Sequence, residues 1–368
     1  MERLAERPGA VNAHTHLYSR LAPLGMPSPS PRPATFLEIL KRVWWQLDRA
    51  LDRDTLRASA RFYVANALLR GTTTLMDHHE SPSFIEGSLD VLADACQELG
   101  ARALLCYGAT ERNGGREEAC RGLGECRRFI EQRTGPLVRG AIGLHASFTV
   151  SDATLVEAGD MARSLEVPVH VHVAEALEDM SDARGRGHPS PLARMLEYDV
   201  LPSGSILAHG VHLSEEEVAT CEARGLWLVH NPRSNANNRV GYARSLHASN
   251  RVALGTDGFP SDMTAEEEAL REEASRRGDV LSAVEARLGS GRALAAEIFG
   301  EEAIRSDRVW IDMAVRRPAV RVVRVEVGGR AVVDDGALVL AKMSQIEADA
   351  QRAARALWNR MKELPDPT

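Results

Sequence analysis

Histidines and carboxylates recur along this chain at points where short apolar runs end. The first pair, His14 and His16, closes the segment "GAVNAHTH". Residues i and i+2 of a β-strand share one face, so both imidazoles would point to the same side. Two neutral imidazoles on one face can chelate a metal ion, although such a pair can equally belong to a turn. The pair alone leaves both interpretations open.

Further candidate ligands and acid–base groups follow at later apolar runs. The segment "VHVHVAE" offers His172 and Glu175, "LAHG" offers His209, and "LGTDG" offers Asp257. Metal-assisted hydrolysis needs three or four nitrogen or oxygen ligands, an open position for water and a nearby group that moves protons. Taken together, these residues predict one such site.

The elements that must position these side chains form a regular series. Amphipathic segments alternate with eight apolar, β-rich runs: "GAVNAHTH", "TTTLMDHH", "RALLCYGATE", "LVRGAIGLHASF", "VPVHVHVAE", "SILAHGVHL", "LWLVHNPRSN" and "RVALGTDG". Such alternation implies a parallel sheet, and continuously apolar strands imply a sheet covered on both faces. The predicted fold class is therefore α/β, a (β/α)8 TIM-like barrel whose strand ends converge on one mouth. A doubly wound sheet is the alternative, but no G-x-G-x-x-G follows the first strand.

Three segments make up the predicted domain organisation. Residues 8–305 form the hydrolase barrel, 306–340 a small β appendage, and 341–368 a C-terminal helix. The appendage is predicted from "RVVRVEVGGRAVVDDGALVL", which is typical of paired hairpins with Gly-Gly and Asp-Gly turns. The loop "PSPSPRP" at 27–33 is a candidate lid over the mouth.

Charge and cysteine usage limit the partners and the compartment. The formal net charge of -7 gives no sign of a surface for nucleic acid. The five cysteines lack C-x-x-C spacing and are odd in number, which favours a reducing compartment. No apolar run is long enough to span a bilayer. We therefore expect a cytoplasmic protein without a membrane or nucleic-acid partner.

The order of the motifs carries a family resemblance. H-x-H, H-x-x-E, "AHGVHL", "NPRSN" and "LGTDG" resemble the metal-dependent amidohydrolase superfamily. Within it, the chain is similar to the mononuclear deaminase branch of guanine, cytosine, S-adenosylhomocysteine and chlorotriazine hydrolases, and most of all to the SsnA group of aminohydrolases. The resemblance covers roughly residues 8–263 and includes "DHHESPSFIEGSLD" and "GLHASFTVSD".

The resemblance implies a set of site residues. One divalent metal ion, Zn²⁺ with Fe²⁺ as the alternative, would be held by His14, His16, His172 and Asp257. The catalytic residues would be Glu175 as proton shuttle, His209 as the residue that holds the metal-activated water, and Asp257. The expected substrate contacts are His145 by resemblance, and His78 and Asn231 by their places at strand ends. His230, beside Asn231, could equally hold the "NPRSN" turn.

The scarcity of lysine separates two branches of this superfamily. Binuclear members bridge their metals with a carboxylated lysine near the fourth strand. Between Lys41 and Lys342 the sequence has no lysine, and the fourth strand offers His145. A lysine-bridged pair of metals is thereby excluded.

The chain also departs from the family pattern. Family members carry several dozen residues before the first barrel strand, whereas H-x-H begins here at residue 14. We therefore expect an incomplete β appendage with an edge that a homodimer partner could cover. The region after Met263 is also shorter and more charged than the family pattern.

The predicted activity is deamination of a purine- or pyrimidine-like heterocycle by a metal-activated hydroxide, with release of ammonia. The partner is thus a small heterocyclic molecule. Two alternatives remain at this point. One is a metal-retaining but inactive homologue that acts as a scaffold or partner subunit, and the other is hydrolysis of a C–Cl or amide bond with the same ligands.

Overall fold

Strands of two separate sheets organise the computed structural model, which describes residues 4–133, 135–312 and 321–365. In chain order the strands are β1 (Leu4–Pro8), β2 (Ala10–Thr15), β3 (Thr72–His79), β4 (Arg102–Ala109), β5 (Val138–Gly140), β6 (Ile142–Ala146), β7 (Val169–Val173), β8 (Ile206–His209), β9 (Trp227–His230), β10 (Val252–Leu254), β11 (Arg308–Asp312), β12 (Arg321–Val327), β13 (Arg330–Asp334) and β14 (Ala337–Leu338).

Helices fill most of the connections between the strands. They are α1 (Phe36–Ile39), α2 (Trp45–Ala50), α3 (Arg53–Leu69), α4 (Ser88–Leu99), α5 (Gly115–Gln132), α6 (Asp152–Leu165), α7 (Leu177–Gly185), α8 (Pro191–Glu197), α9 (Glu215–Ala223), α10 (Pro232–Asn238), α11 (Met263–Arg277), α12 (Leu281–Phe299), α13 (Glu301–Arg305) and α14 (Met343–Glu363). A π-helical turn, Leu40–Trp44, joins α1 to α2. None of the described helices combines the length and the apolar composition that a membrane crossing needs.

The larger sheet is the predicted barrel. Its parallel strands follow the order β2-β3-β4-β6-β7-β8-β9-β10, and the short β5 extends the fourth position by pairing with the start of β4. All eight predicted strand runs occur, which confirms the (β/α)8 prediction. Strands β3 and β4 are buried along their whole length, as expected for a parallel sheet with helices on its outer face and side chains filling its interior.

A short seam between β10 and β2 closes the barrel. The backbone amides of Thr256 and Asp257 both donate to the carbonyl oxygen of His14 at 3.0 Å. Gly255 permits this approach, because a Cβ there would lie 2.6 Å from Asn231 Oδ1 and 2.8 Å from the His14 nitrogen. Helix α12 packs against both β2 and β10 and covers the seam.

Side chains at the amino ends of α3 and α9 cap these two helices. Asp52 accepts a hydrogen bond from the Thr55 amide at 2.9 Å, and the Thr55 hydroxyl accepts one from the Asp52 amide at 3.0 Å. Ser214 and Glu217 form the same reciprocal cap at the start of α9. Each cap satisfies amides that the first helical turn leaves unpaired.

The smaller sheet is the β appendage, and it differs from the prediction in one strand. Its antiparallel order is β1-β11-β12-β13-β14, so it takes β1 from the beginning of the chain, where Leu4 pairs with Asp312 and Pro8 with Arg308. The predicted unit, residues 306–340, does not include this strand. Residues 313–320 of the predicted appendage and 366–368 of the predicted final helix lie outside the described ranges.

The appendage lies at the end of the barrel opposite the strand termini that carry the histidines. Val309 faces Gly71 and Val332 faces Gly100, where an added Cβ would lie 3.0 Å and 2.6 Å from them. The two glycines lie one and two residues before the amino ends of barrel strands β3 and β4. Helix α14 packs on α2 and α3.

Candidate metal centre and active site

Four histidines and one aspartate, from the carboxyl ends of β2, β7, β8 and β10, meet at one end of the barrel. Asp257 Oδ1 lies 2.9 Å from His16 Nε2 and 3.5 Å from His14 Nε2. His172 Nε2 lies 3.4 Å from His16 Nε2. One ligand atom each of His14, His172, His209 and Asp257 falls within 4.8 Å of the others. The cluster could hold a metal ion.

Hydrogen bonds from Nδ1, the ring nitrogen that faces away from the cluster, orient three of these imidazoles. His16 Nδ1 donates to the carbonyl oxygen of His78 at 2.5 Å, and His172 Nδ1 donates to that of His145 at 2.7 Å. His209 Nδ1 donates to Asn235 Oδ1 at 2.9 Å. Because these oxygens only accept, each Nδ1 carries the proton and each Nε2 presents a lone pair to the centre.

His14 is held by another histidine. Its Nδ1 lies 2.9 Å from Nε2 of His170, a buried residue of β7 two positions before His172. Burial lowers the pKa of His14 to about 3 and that of His170 well below its usual range. Two neutral rings can share one hydrogen bond, with one ring donating to the other.

Two of the facing nitrogens have no partner among the described atoms. His14 Nε2 and His209 Nε2 are buried and make no hydrogen bond. An unsatisfied buried acceptor costs on the order of 1–3 kcal/mol. Neutral imidazole nitrogens beside a carboxylate are a usual donor set for zinc and other transition metals. The residues present therefore fit a divalent metal ion.

Asp257 is fixed on the rim of the cluster. The Ser234 hydroxyl donates to its Oδ2, so Oδ1 remains directed at the histidines. Burial would raise the pKa of Asp257, but its contacts with the His14 and His16 imidazoles hold it well below its usual range. The backbone is left-handed at Asp257 and His209, with φ of 52° and 75°. Such conformations cost about 1–3 kcal/mol in a non-glycine residue and cluster at functional sites.

Glu175 lies beside the cluster with an altered acidity. Its Oε2 is 3.6 Å from His209 Nε2, and its Oε1 accepts a hydrogen bond from Asn238 Nδ2 at 3.4 Å. Burial raises the pKa of Glu175 to about 7. A carboxyl group that titrates near neutral pH can both take up and deliver a proton.

A cavity of about 680 Å³, counted with the open space at its mouth, lies over the cluster. Of the predicted site residues, those that line it are His16, His145, His172, Glu175 and Asp257. The other predicted ligand and catalytic residues, His14 and His209, are almost fully buried behind them.

Two expected substrate contacts lie behind the cavity wall. His78 and Asn231 are absent from the part of the wall that the described residues form. His78 Nε2 donates to the Leu144 carbonyl at 2.9 Å, and Asn231 Nδ2 lies 3.4 Å from His209 Nδ1. These contacts suit residues that position the histidine cluster, and a substrate role for either one stays a prediction.

Sequence reasoning missed several residues of the wall. Glu80, which is 1% exposed, has Oε1 2.8 Å from His78 Nδ1. Its place two residues beyond His78 was the available signal, since i and i+2 share a face at a strand end. Asp48 and Arg112 pair across the wall at 2.9 Å, 64 residues apart in the chain, and no local pattern marks them.

The chain is similar to known proteins in sequence and in fold. The sequence profile of the amidohydrolase family matches residues 7–305. A 5'-deoxyadenosine deaminase of Methanoregula boonei is 30% identical over 261 residues, or 69% of this chain and 56% of its own. A 5-methylthioadenosine/S-adenosylhomocysteine deaminase of Desulforudis audaxviator is 31% identical over 261 residues, or 69% and 57%. The chain thus spans less than two thirds of the length of these curated relatives.

Solved structures extend the likeness to nearly the whole chain. A zinc-bound adenosine deaminase from Xanthomonas campestris superposes with a TM-score of 0.82 at 24% identity, covering 98% of this chain and 87% of its own. Atrazine chlorohydrolase from Arthrobacter aurescens TC1, complexed with zinc, gives 0.73 at 21% identity, covering 95% and 88%. At these identities the likeness is one of fold.

Proposed function

The chain belongs to the amidohydrolase family, and from this premise we propose that it is a metal-dependent aminohydrolase. It removes the amino group of an amino-substituted, purine- or pyrimidine-like heterocycle and releases ammonia. One observation carries the proposal. The Nε2 atoms of the histidine cluster, Asp257 Oδ1 and the Glu175 carboxyl group converge at one end of a single cavity.

In this proposal His14, His16, His172 and Asp257 hold one divalent ion, with Zn²⁺ expected and Fe²⁺ as the alternative. Bound there, the ion supplies a Lewis acid that makes water nucleophilic near neutral pH. The zinc in both solved neighbours supports this choice. The proposal includes no second metal ion bridged by a carboxylated lysine, since the sequence has no lysine between Lys41 and Lys342.

The chain's own residues orient water and move the protons. His209, fixed by Asn235, accepts a hydrogen bond from the attacking water through its free Nε2. Glu175 takes the proton that the water loses and passes it first to a ring nitrogen and then to the leaving amine. One water is added to the ring carbon and the C–N bond breaks, which gives an oxo-heterocycle and ammonia.

The walls of the cavity suit a flat, partly apolar substrate. Phe36, Trp44, Trp45 and Phe148 contribute aromatic surface, and His145 stands among them as the expected polar contact. Pockets of this kind bind planar ligands by burial and use a few polar groups for orientation. The named activities of the two curated relatives, both deaminations of adenosine derivatives, point to the same class of substrate.

Replacement of Glu175 tests the catalytic role. We expect Glu175→Gln to lower kcat for ammonia release by about 10²–10⁴-fold, because the amide cannot carry the proton. The measurement is ammonia release from a panel of aminopurines, aminopyrimidines and aminotriazines. Glu178→Gln, three residues on and outside this cavity, is the matched control and should keep full activity.

Other outcomes would change the assignment. Equal ammonia release by wild type and Glu175→Gln would contradict the proposed role of Glu175. A chain that binds metal but releases no ammonia from any panel member would favour the scaffold alternative. Release of chloride or cleavage of an amide in its place would favour hydrolysis of those bonds by the same residues.

Elemental analysis tests the metal centre independently of activity. We expect about one zinc or iron per purified chain, and a large loss of bound metal in Asp257→Asn, because the variant removes the anionic ligand. The control is Asp262→Asn, since Asp262 caps α11 and asparagine caps helices equally well. Retention of a full metal equivalent by Asp257→Asn would remove Asp257 from the ligand set.

A further inference from the structure

One cavity wall carries five carboxylates and a single guanidinium. The carboxylates belong to Asp48, Glu80, Glu175, Asp179 and Asp257. Among the described residues of the wall, Arg112 is the one arginine or lysine. A divalent ion at the histidine cluster offsets two negative charges and leaves the wall without excess positive charge.

Arg112 already has an ionic partner and a hydrogen-bond partner within the protein. Its Nη2 donates to Asp48 Oδ2 at 2.9 Å, and its Nε donates to the Thr110 hydroxyl at 3.1 Å. Its Cζ lies 4.8 Å from the ring centroid of Trp45, so one face of the guanidinium is stacked as well. Its side chain is 5% exposed. The charge of Arg112 is therefore already paired with Asp48 before any ligand enters the cavity.

Contact with the Arg112 guanidinium favours the ionised form of Asp48. Burial raises the pKa of Asp48 to about 7, against the opposing charge of Arg112. Arginine remains protonated in proteins, so a neutral Asp48 would leave a buried guanidinium without its anion. The pair therefore cancels its own charge.

Unpartnered acceptors in the same wall point to donors on the ligand. Asp48 Oδ1 and Asp179 Oδ1 are buried and make no hydrogen bond within the described chain. The two residues are 1% and 3% exposed. Carboxyl oxygens without partners attract N–H and O–H groups, and in their ionised form they also repel other anions.

From this charge arrangement we infer that the substrate's ring and its immediate substituents are neutral or cationic, rich in N–H or O–H donors, and free of carboxylate and phosphate. This inference rests on the proposed function and narrows its substrate class. An anionic substituent inside the cavity would meet buried carboxylates while the one guanidinium is already paired. This mismatch weakens substrate binding and therefore lowers kcat/KM.

Matched substrate pairs test the inference with the wild-type, metal-loaded enzyme. The pairs are cytosine with 5-carboxycytosine and adenine with adenine-9-acetate, each measured for ammonia release and, by titration calorimetry, for binding. We expect the neutral member to be preferred by at least about 10²-fold in kcat/KM or in Kd. Equal values for the two members would overturn the inference.

An Asp48→Asn variant provides a second test, in which the anionic member of each pair should be better accepted. The amide keeps the shape of the side chain but leaves the charge of Arg112 uncancelled, so we expect the preference for the neutral member to fall by about tenfold or more. An unchanged preference in a folded, metal-loaded variant would contradict the inference. If the variant does not fold, the wild-type pairs still decide.

Failure of this inference is distinguishable from failure of the proposed function. Ammonia from both members of a pair at equal rates would keep the aminohydrolase and reject the charge selection. No ammonia, together with calorimetric binding of the neutral members alone, would keep the charge selection and reject deamination.

Discussion

Buried carboxylates near the cavity set the pH dependence of stability at the scale of single residues. Asp179 on α7 is 3% exposed, and its Oδ2 accepts a hydrogen bond from the Ala174 amide at 2.6 Å. Burial nevertheless raises the pKa of Asp179 to about 7. One hydrogen bond does not compensate a carboxylate for the loss of its hydration.

The direction of this pH dependence follows from the protonation of Asp179 in the folded and the unfolded chain. Below about pH 4 the carboxyl is protonated in both folded and unfolded chains. Between about pH 4 and the folded pKa, the folded chain retains a proton that the unfolded chain has lost, so the free energy of unfolding falls as pH rises.

Asp179→Asn removes this titration. Relative to wild type, we expect the variant to gain stability as pH rises through that window, by at most about 1.4 kcal/mol per pH unit. Urea unfolding of both proteins at several pH values between 4 and 8 measures the difference. Asp160→Asn, whose side chain is 69% exposed in wild type, should show no comparable trend. A difference between Asp179→Asn and wild type that does not vary with pH would refute the raised pKa.

At the scale of elements, the segment from α1 through the π-helical turn to α2 forms the roof of the cavity. It places Trp44 and Trp45 in the wall of the cavity that His16 and His172 also line, and it brings Asp48 to Arg112. Trp44 packs so closely on Gly258 that a Cβ at that position would lie 3.1 Å from its ring. A π-turn adds a residue to the helical repeat and often occurs at functional sites.

The sequence allowed some of these elements to be predicted and not others. The eight barrel strands carry their own signal, because each is a short apolar run followed by polar residues at the strand end. The predicted ligands follow from those same strand ends. The roof has no such local signal, because the sequence shows the aromatic pair Trp44 and Trp45 but not the surface that the pair covers.

Contacts between distant segments were likewise beyond local pattern. Strand β1 is short and polar, and only its pairing with β11 more than 300 residues later makes it part of a sheet. Asp48 and Arg112 each look like ordinary charged residues until the barrel brings them together. Such features depend on tertiary structure, which local propensity does not encode.

At the scale of the whole molecule, a buried ion pair joins the barrel to the appendage. Arg102 at the start of β4 binds Asp307 through Nε at 3.2 Å and Nη2 at 3.0 Å, and both side chains are 2% exposed. Asp307 Oδ1 also accepts from the Gly328 amide in the β12–β13 turn at 2.7 Å. One carboxylate thus holds the barrel and a hairpin of the appendage. The homodimer and the cytoplasmic location expected from the sequence stay predictions.

Loss of the Asp307 charge should therefore uncouple the two sheets without touching the cavity at the other end of the barrel. We expect Asp307→Asn to lower the free energy of unfolding by about 3–5 kcal/mol, because Arg102 would remain buried without its anion. Denaturant unfolding measures this loss, and the metal content of the folded variant should equal that of wild type.

Asp335→Asn in the same appendage is the matched control, since Asp335 is 92% exposed in its pair with Arg321 and its loss should cost less than about 0.5 kcal/mol. Equal effects of the two substitutions would show that the junction does not depend on this pair. A loss of metal in folded Asp307→Asn would show instead that the appendage and the histidine cluster are coupled through the barrel.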